Sequence, residues 1–422
     1  MFALRPIVPS LLRQNRDFRR FWIGQSVSLI GDQISALALP LLAVLLLGAT
    51  PAQMGYLAAV TLAPNLLSLH AGAWVDRFGR RRKVMIAADI GRAALLASIP
   101  IAYAVGVLAM AQLYVVGLGV GFFNVFFNVA GSSFAVALVP RERFIESSSL
   151  TNGSRAMSDV VGPGIGGALV QLLSAPVAIA ADAASFVLSA FSLAIISPQE
   201  PPASKRGPGQ VAAGIRFIFA SGIMRAALAA TATINFFNFA YSALLILYAS
   251  RYLHVAPGTL GIVFGSGAVG GLIGAAVTAG ICRRIGIGPA FVSGCVLFPA
   301  PLLLVPLAGG PSYMILSLLF LASFGGGFGV MVLDISIGTI FAALIPPELR
   351  SRVAGAYMVV NYGVRPLGSL AGGLLGSLSG PHATLWVAAA GGLAGVLWLL
   401  PSPLMKLRAL PDTVLPASQV AQ

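Results

Sequence analysis

The sequence is poor in charge. Of its 422 residues only 9% are Asp, Glu, Lys or Arg, against about 25% in a soluble domain. Hydrophobic residues make up 58%, and the mean hydropathy is +0.92. This excludes a soluble globular protein, and it excludes a disordered chain, which needs little apolar surface and much charge. Lysine is nearly absent. Lys83, Lys205 and Lys406 are the only three, and none follows a Walker-type glycine loop, so an ATPase is excluded. The three histidines, His70, His254 and His382, are dispersed without metal-ligand spacing. Cys282 and Cys295 lack CxxC spacing and sit in apolar surroundings, where they read as small buried hydrophobes. No cofactor and no metal are expected. A membrane enzyme would need a convergent His/Asp or Cys/His set, and a sensor or scaffold an appended domain or long tail. Neither is found.

Long apolar runs are what the chain does have. Bounded by charge or Gly/Pro, they predict helices near 18–47, 52–75, 83–106, 111–139, 149–172 and 176–197. A second set follows near 223–250, 257–281, 286–308, 311–339, 353–379 and 382–404. At about 20 residues per span the length accommodates about twelve spans and no sizeable soluble domain. The expected organisation is a six-helix half over 1–197, a cytoplasmic linker over 198–222, a second six-helix half over 223–408 and a disordered tail over 409–422. The linker ends in an amphipathic segment, Val211–Ser221, expected to lie along the membrane surface. The first apolar run is long and has no small-residue cleavage site, so it reads as a retained helix.

The net charge of +14 does not mark a nucleic-acid binder. Of the 26 basic residues, 22 fall in seven clusters in alternate connections, around Arg5–Arg20, Arg77–Lys83, Arg141–Arg143, Lys205–Arg225, Arg283–Arg284, Arg350–Arg352 and Lys406–Arg408. The intervening connections carry only Arg251. This alternation is the positive-inside pattern, and it puts both termini in the cytoplasm. The halves also repeat. A shift of 206 positions superimposes Pro51 on Pro257, Gly55 on Gly261, Arg77 on Arg283, Pro140 on Pro346 and Glu142 on Glu348. The same shift carries Gly162, Gly166 and Gly167 onto Gly368, Gly372 and Gly373. Duplicated halves are a transporter architecture, with the substrate site at their interface near the bilayer midplane.

The strongest local signal is Gly72-Ala-Trp-Val-Asp76-Arg77-Phe-Gly79-Arg80-Arg81-Arg82-Lys83, between the second and third helices. Gly79 permits a tight turn, and the basic run anchors the loop at the headgroups. Asp76 sits at a helix C-terminus, where the helix dipole disfavours a carboxylate, so a partner on another helix is expected. Arg92 and Arg155 are the candidates for that basic partner. An acid so placed can latch the cytoplasmic face shut.

This motif resembles the G-x-x-x-D-R-x-G-R-R signature of the major facilitator superfamily, in the loop where that family carries it. Gly162-Pro163-Gly164-Ile165-Gly166-Gly167 resembles the end of the fifth-helix motif of exporters, with Ser149 and Ser158 where the upstream glycines would stand. The opening Asn15-Arg16-Asp17-Phe18-Arg19-Arg20-Phe21-Trp22-Ile-Gly24-Gln25, followed by Gly31-Asp32, resembles the branch holding macrolide-efflux proteins and the enterobactin exporter. Cys282 replaces the acid in the second half, which makes the latch one-sided. The resemblance implies an all-α membrane protein with the major facilitator fold: twelve transmembrane helices in two pseudo-symmetric halves. It also implies a monomer in a bacterial-type cytoplasmic membrane that exports hydrophobic or amphiphilic small molecules by alternating access, with protons as coupling ion. The alternative is proton-linked uptake of a small metabolite. Partners are then a small-molecule substrate, protons and the lipid bilayer, without nucleic acid.

Charges inside helices cost about 2.5–3.5 kcal/mol each on insertion scales and are functional candidates by default. Asp32 lies 12 residues past Arg20, about 18 Å deep at 1.5 Å per residue. Asp334 and Arg365 reach a similar depth from the helix ends near Pro346 and Arg352. These three are expected to form a polar cluster facing the central cavity, with Asp32 as proton or cation site and Asp334–Arg365 as a self-neutralising pair. Asp89 with Arg92 (i, i+3) and Arg155 with Asp159 (i, i+4) are spaced to pair near a cytoplasmic gate. Asp182 reads as structural. Asn124 and Asn128, and Asn235 and Asn238, stand among aromatics, a mixture suited to bulky amphiphilic ligands. Gly265-Ser-Gly267-Ala-Val-Gly270 fits GxGxxG but opens no βαβ unit. It reads as a helix-packing face.

Overall fold

The computed structural model describes residues 9–196, 211–347 and 349–407. The polar part of the expected linker, Glu348 and the expected tail lie outside the described residues. Among those described the chain is helical, with no strand. A short α1 (Ser10–Gln14) precedes α2 (Arg16–Leu45). Next come α3 (Pro51–Leu62), a 3-10 turn (Ala63–Leu67) and α4 (Ser68–Phe78). Then follow α5 (Arg81–Ala104), α6 (Met110–Ala137), α7 (Phe144–Leu172) and α8 (Ala175–Ala194). After the linker come α9 (Val211–Ala220), α10 (Gly222–Arg251), α11 (Pro257–Ile285), α12 (Ile287–Leu297), α13 (Ser312–Leu344), α14 (Arg350–Ser379) and α15 (Pro381–Ala394).

Local sequence accounts for where these helices begin and end. Thr50 and Gln53 form a reciprocal capping box at the start of α3, with Pro51 in the first turn. Pro257 and Pro381 likewise stand in the first turns of α11 and α15, without a side-chain cap. Nine segments among the described residues are long and apolar enough to cross a bilayer. They are α2, α5, α6, α8, α10, α11, α13, and α12 and α15 with their 3-10 extensions to Leu304 and Leu399. The other three expected positions are helical as well. Span 2 is interrupted by its 3-10 turn, and α7 and α14 are long but more polar.

The helices form two compact units. The first comprises the described residues within 1–39 and 67–208. There α5 packs against α6 and α8, around a core that includes Phe18, Phe21, Met85, Phe127 and Phe134. The second comprises those within 40–66 and 209–422. Its core includes Ile234, Phe291, Leu333 and Ile337. The 40–66 segment joins it because α3 lies on α14. A Cβ on Gly373 would stand 2.8 Å from the Gly55 Cα, so only glycines permit that backbone approach. The Ala52 amide donates to Ser377 Oγ at 3.0 Å, and Arg251 Nη2 donates to the Val44 carbonyl, one residue before the C-terminus of α2, at 3.1 Å. The segment expected along the membrane surface is α9, which turns one face onto the second unit and leaves Ile215 and Phe219 exposed. Phe217 and Ile218 are buried with Met224, Leu228, Val353 and Ala356, because its apolar residues find a face on α10 and α14.

Candidate functional site

Arg92, midway along α5, is the centre of a buried charge cluster in the first unit. It is fully buried, with its guanidinium between the rings of Phe127 at 4.3 Å and Phe186 at 4.0 Å. It donates to Asp89 one turn earlier, also fully buried, as the i, i+3 spacing allows. Its other terminal nitrogen lies 3.7 Å from Asp32 Oδ1 on α2. Asp182 on α8 is buried, accepts a hydrogen bond from Ser185 Oγ at 3.0 Å, and lies within electrostatic reach of Asp32 and Arg92. Ser189 adjoins Asp89 from the same helix. Three carboxyl groups on three helices thus share one guanidinium. Asp89 Oδ2, Asp182 Oδ2 and two Arg92 nitrogens make no hydrogen bond among the described residues. Such buried unsatisfied groups cost about 1–3 kcal/mol apiece. Asp32 differs from its neighbours in exposure: its side chain is 33% accessible, against 0% for Arg92 and Asp89.

The fifth-helix glycines hold this cluster from behind. Gly162, Pro163, Gly166 and Gly167 are all buried on α7. A Cβ on Gly162 would stand 2.5 Å from Gln33 Cβ, and one on Gly166 would stand 3.0 Å from Ile34 Cα. This seam sets α7 backbone-close against the two residues that follow Asp32. Through it Gln33 donates to Asp159, and Ser26 donates to Ser154 at 3.0 Å. The contact partner of Asp159 is therefore Gln33 across the seam. Arg155, one turn earlier, is exposed and influences Asp159 and Asp32 only through space.

The turn between α4 and α5 is built as its residues dictate. α4 ends at Phe78, and Gly79 takes the left-handed conformation at φ 68°, where other residues are strained. The reversal brings Arg81 Nη2 to 3.3 Å from Asp76 Oδ1. Arg81 is buried while the Asp76 side chain is 45% accessible. Asp76 thus meets Arg81 on the next helix, not Arg92 or Arg155, because Arg92 is sealed between its own acids. Gly72 lies about two turns from the helix end, where an added Cβ would stand 4.0 Å from the Val129 side chain. Arg77 and Arg80 are exposed. Arg82 donates to the Ala194 carbonyl, at the C-terminus of α8, at 2.9 Å, a favourable place for a cation.

In the second unit Asp334 on α13 and Arg365 on α14 act on each other through space, without an ion pair within 4.0 Å. The expected self-neutralising contact is therefore not made. Arg365 lies instead over the rings of Tyr362 at 4.7 Å and Phe239 at 5.1 Å. Asn235 joins a polar ladder between α10 and α14. It donates to Asn361 Oδ1 at 3.1 Å, Asn361 donates to the Tyr357 carbonyl at 3.1 Å, and the Tyr357 hydroxyl donates to Thr231 Oγ1 at 2.9 Å. Asn238 lines a cavity of about 230 Å³ with Tyr241, Ser242, Phe264 and Phe298. In the first unit Asn128 donates to Asn124 at 2.9 Å along one edge of α6.

A family model described as the Major Facilitator Superfamily matches residues 21–369. The chain belongs to the major facilitator superfamily. It is accordingly a multi-pass membrane transporter of that superfamily, and not an enzyme. Among characterised relatives, the multidrug efflux pump Tap of Mycobacterium tuberculosis is 27% identical over 394 residues, covering 84% of this chain and 85% of Tap. A further relative, the uncharacterised MFS-type transporter YfiS of Bacillus subtilis, is 25% identical over 385 residues, covering 86% of this chain and 88% of YfiS. Among solved structures, a bacterial homologue of the iron transporter ferroportin superimposes with a TM-score of 0.73 at 18% identity, covering 95% of this chain and 100% of that one. The nucleoside transporter NupG gives a TM-score of 0.71 at 13% identity, covering 91% and 98%. These structural likenesses speak for the major facilitator fold alone.

Proposed function

We propose that this transporter exports hydrophobic or amphiphilic small molecules in exchange for protons, with Asp32 as the proton-carrying group. The observation that carries the coupling is the cluster's exposure pattern: three acids stand around one arginine, and the acid with substantial access to solvent is Asp32. A proton arriving at Asp32 neutralises it and removes its attraction to Arg92 3.7 Å away, which changes how α2 is held to α5. The similarity to the efflux pump Tap across most of both chains supports export. The turn at Asp76–Arg81 serves as the cytoplasmic latch in this reading. We place the protein in a bacterial-type cytoplasmic membrane with both termini inside, acting as a monomer by alternating access of two six-helix halves.

The test is accumulation of a fluorescent lipophilic cation in cells expressing wild type or Asp32→Asn, with and without a proton uncoupler. Wild type should lower accumulation, the uncoupler should abolish that effect, and the variant should lack it at equal expression. Uncoupler-insensitive efflux, or full efflux by Asp32→Asn, removes the proton role of Asp32. Higher accumulation with wild type than with empty vector reverses the direction.

A further inference from the structure

Beside the gating turn the first unit carries a cavity of about 540 Å³, within the roughly 300–1,000 Å³ typical of small-molecule sites. Its wall is aromatic and aliphatic: Trp74 and Phe78 from α4, Val84, Ala87 and Ala88 from α5, and Phe122, Phe123 and Phe126 from α6. Trp74 stacks on Phe78 with centroids 5.0 Å apart, and Phe126 meets Trp74 edge-on at 5.5 Å. Trp74, Phe78 and Phe122 nevertheless remain 49%, 44% and 40% exposed. In a chain that spans a bilayer, rings left this open beside one another present an apolar wall suited to acyl chains.

The one charged side chain in the lining is Lys83, on the first turn of α5. It makes no ion pair or hydrogen bond among the described residues, whereas its neighbours Arg81 and Arg82 are held by Asp76 and Ala194. Lys83 ends the basic run that the charge pattern places at the cytoplasmic headgroups. A cation at the rim repels a lipophilic cation and attracts a phosphate, and anionic lipids are concentrated in that leaflet.

We propose that this cavity binds an anionic phospholipid, one acyl chain lying along Trp74, Phe122 and Phe126 and the headgroup phosphate meeting Lys83. The lipid would bridge α4 and α6 within two residues of Asp76, so its occupancy bears on the turn that carries the Asp76–Arg81 pair. The site does not depend on export or on proton coupling.

The test uses the full chain in nanodiscs containing phosphatidylglycerol or phosphatidylcholine brominated along the acyl chain, which quenches tryptophan at contact. The signal of Trp74 is taken as the difference between wild type and Trp74→Phe. Trp74 should be quenched at several-fold lower mole fraction by the phosphatidylglycerol than by the phosphatidylcholine. Lys83→Gln, a substitution at an exposed and unpaired side chain, should abolish that preference while leaving quenching by phosphatidylcholine unchanged. Ala87→Leu, which fills the cavity and keeps the charge, should reduce quenching by both lipids. Equal quenching by the two lipids in wild type, or a preference that survives Lys83→Gln, overturns the proposal. Displacement of the lipid by a lipophilic cation at equimolar concentration also overturns it, and makes the cavity a substrate subsite.

Discussion

Arg92 offers the sharpest test of the charge cluster. Replacing it with Met keeps an unbranched chain of similar reach between Phe127 and Phe186 but leaves Asp89 buried at 0% exposure without its cation. Breaking a buried pair on one side costs about 3–5 kcal/mol, because the partner is left uncompensated. Loss of the guanidinium stacked between two rings adds about 0.5–2 kcal/mol. At roughly 2–4 °C per kcal/mol for a unit of this size, the apparent Tm in detergent should fall by on the order of 10 °C. The double variant Arg92→Met/Asp89→Leu removes both charges and should recover most of that loss, since apolar replacement of a buried pair is often neutral. Arg92→Lys should fall between, keeping the charge but losing the planar stack and the two-sided reach toward Asp89 and Asp32. The measurement is thermal unfolding of the four purified proteins monitored by intrinsic fluorescence. An Arg92→Met protein within 1 °C of wild type, or a double variant no more stable than the single one, would refute the account of Arg92 as the anchor of this unit.

Asp76→Asn and Arg81→Gln should each give a folded but slower transporter, and the double variant should be no slower than either alone. Additive losses in a transport assay would mean that the 3.3 Å pair is not the functional contact. Gly166→Val puts side-chain atoms where the Ile34 backbone stands 3.0 Å from even a Cβ. It should cost at least 1–3 kcal/mol of stability by overpacking and lower transport, and an unchanged Tm would show that the α2–α7 seam yields freely. Asn361→Leu leaves the Asn235 amide without its acceptor and should cost about 1–2 kcal/mol, the range for hydrogen bonds between membrane helices. Asn235→Leu in the same background should then add little to the unfolding shift.

The parts of this site that local geometry dictates were legible from the residues. The i, i+3 spacing pairs Asp89 with Arg92, and Gly79 marks the reversal after Asp76, but the expected partner of Asp76 is Arg92 or Arg155 and the observed one is Arg81, of the run that follows the turn. Which residue it is depends on how many positions the turn consumes, and five separate Asp76 from Arg81. What stayed hidden is tertiary. Asp32, Arg92 and Asp182 lie on three helices far apart in sequence, and hydropathy records depth without recording which faces meet. Depth alone grouped Asp32 with Asp334 and Arg365, whereas the contact Asp32 makes is with Arg92. Asp182 reads as structural from its small neighbours, yet an acid in an apolar helix with no base within a turn has to find its partners elsewhere. The register that joins the fifth-helix glycines to Gln33 and Ile34 is likewise a packing outcome, though the small residues announce that some backbone comes close.

The setting of Arg92 also bears on leakage. A membrane carrier that binds ions must avoid becoming a wire, and a chain of titratable groups running through a bundle is one way to build a wire by accident. Here a carboxylate with 33% of its side chain accessible is followed by a positive charge with none, pressed between two aromatic faces and tied to a second acid. A fixed cation in a low-dielectric passage is a steep barrier to any other cation, the device by which water channels exclude protons. If Asp32 carries the proton as proposed, a small cation arriving there meets that barrier and returns by the way it came. In the proposed role of Asp32, the buried Arg92 closes this end of the passage however often that carboxylate is loaded and emptied.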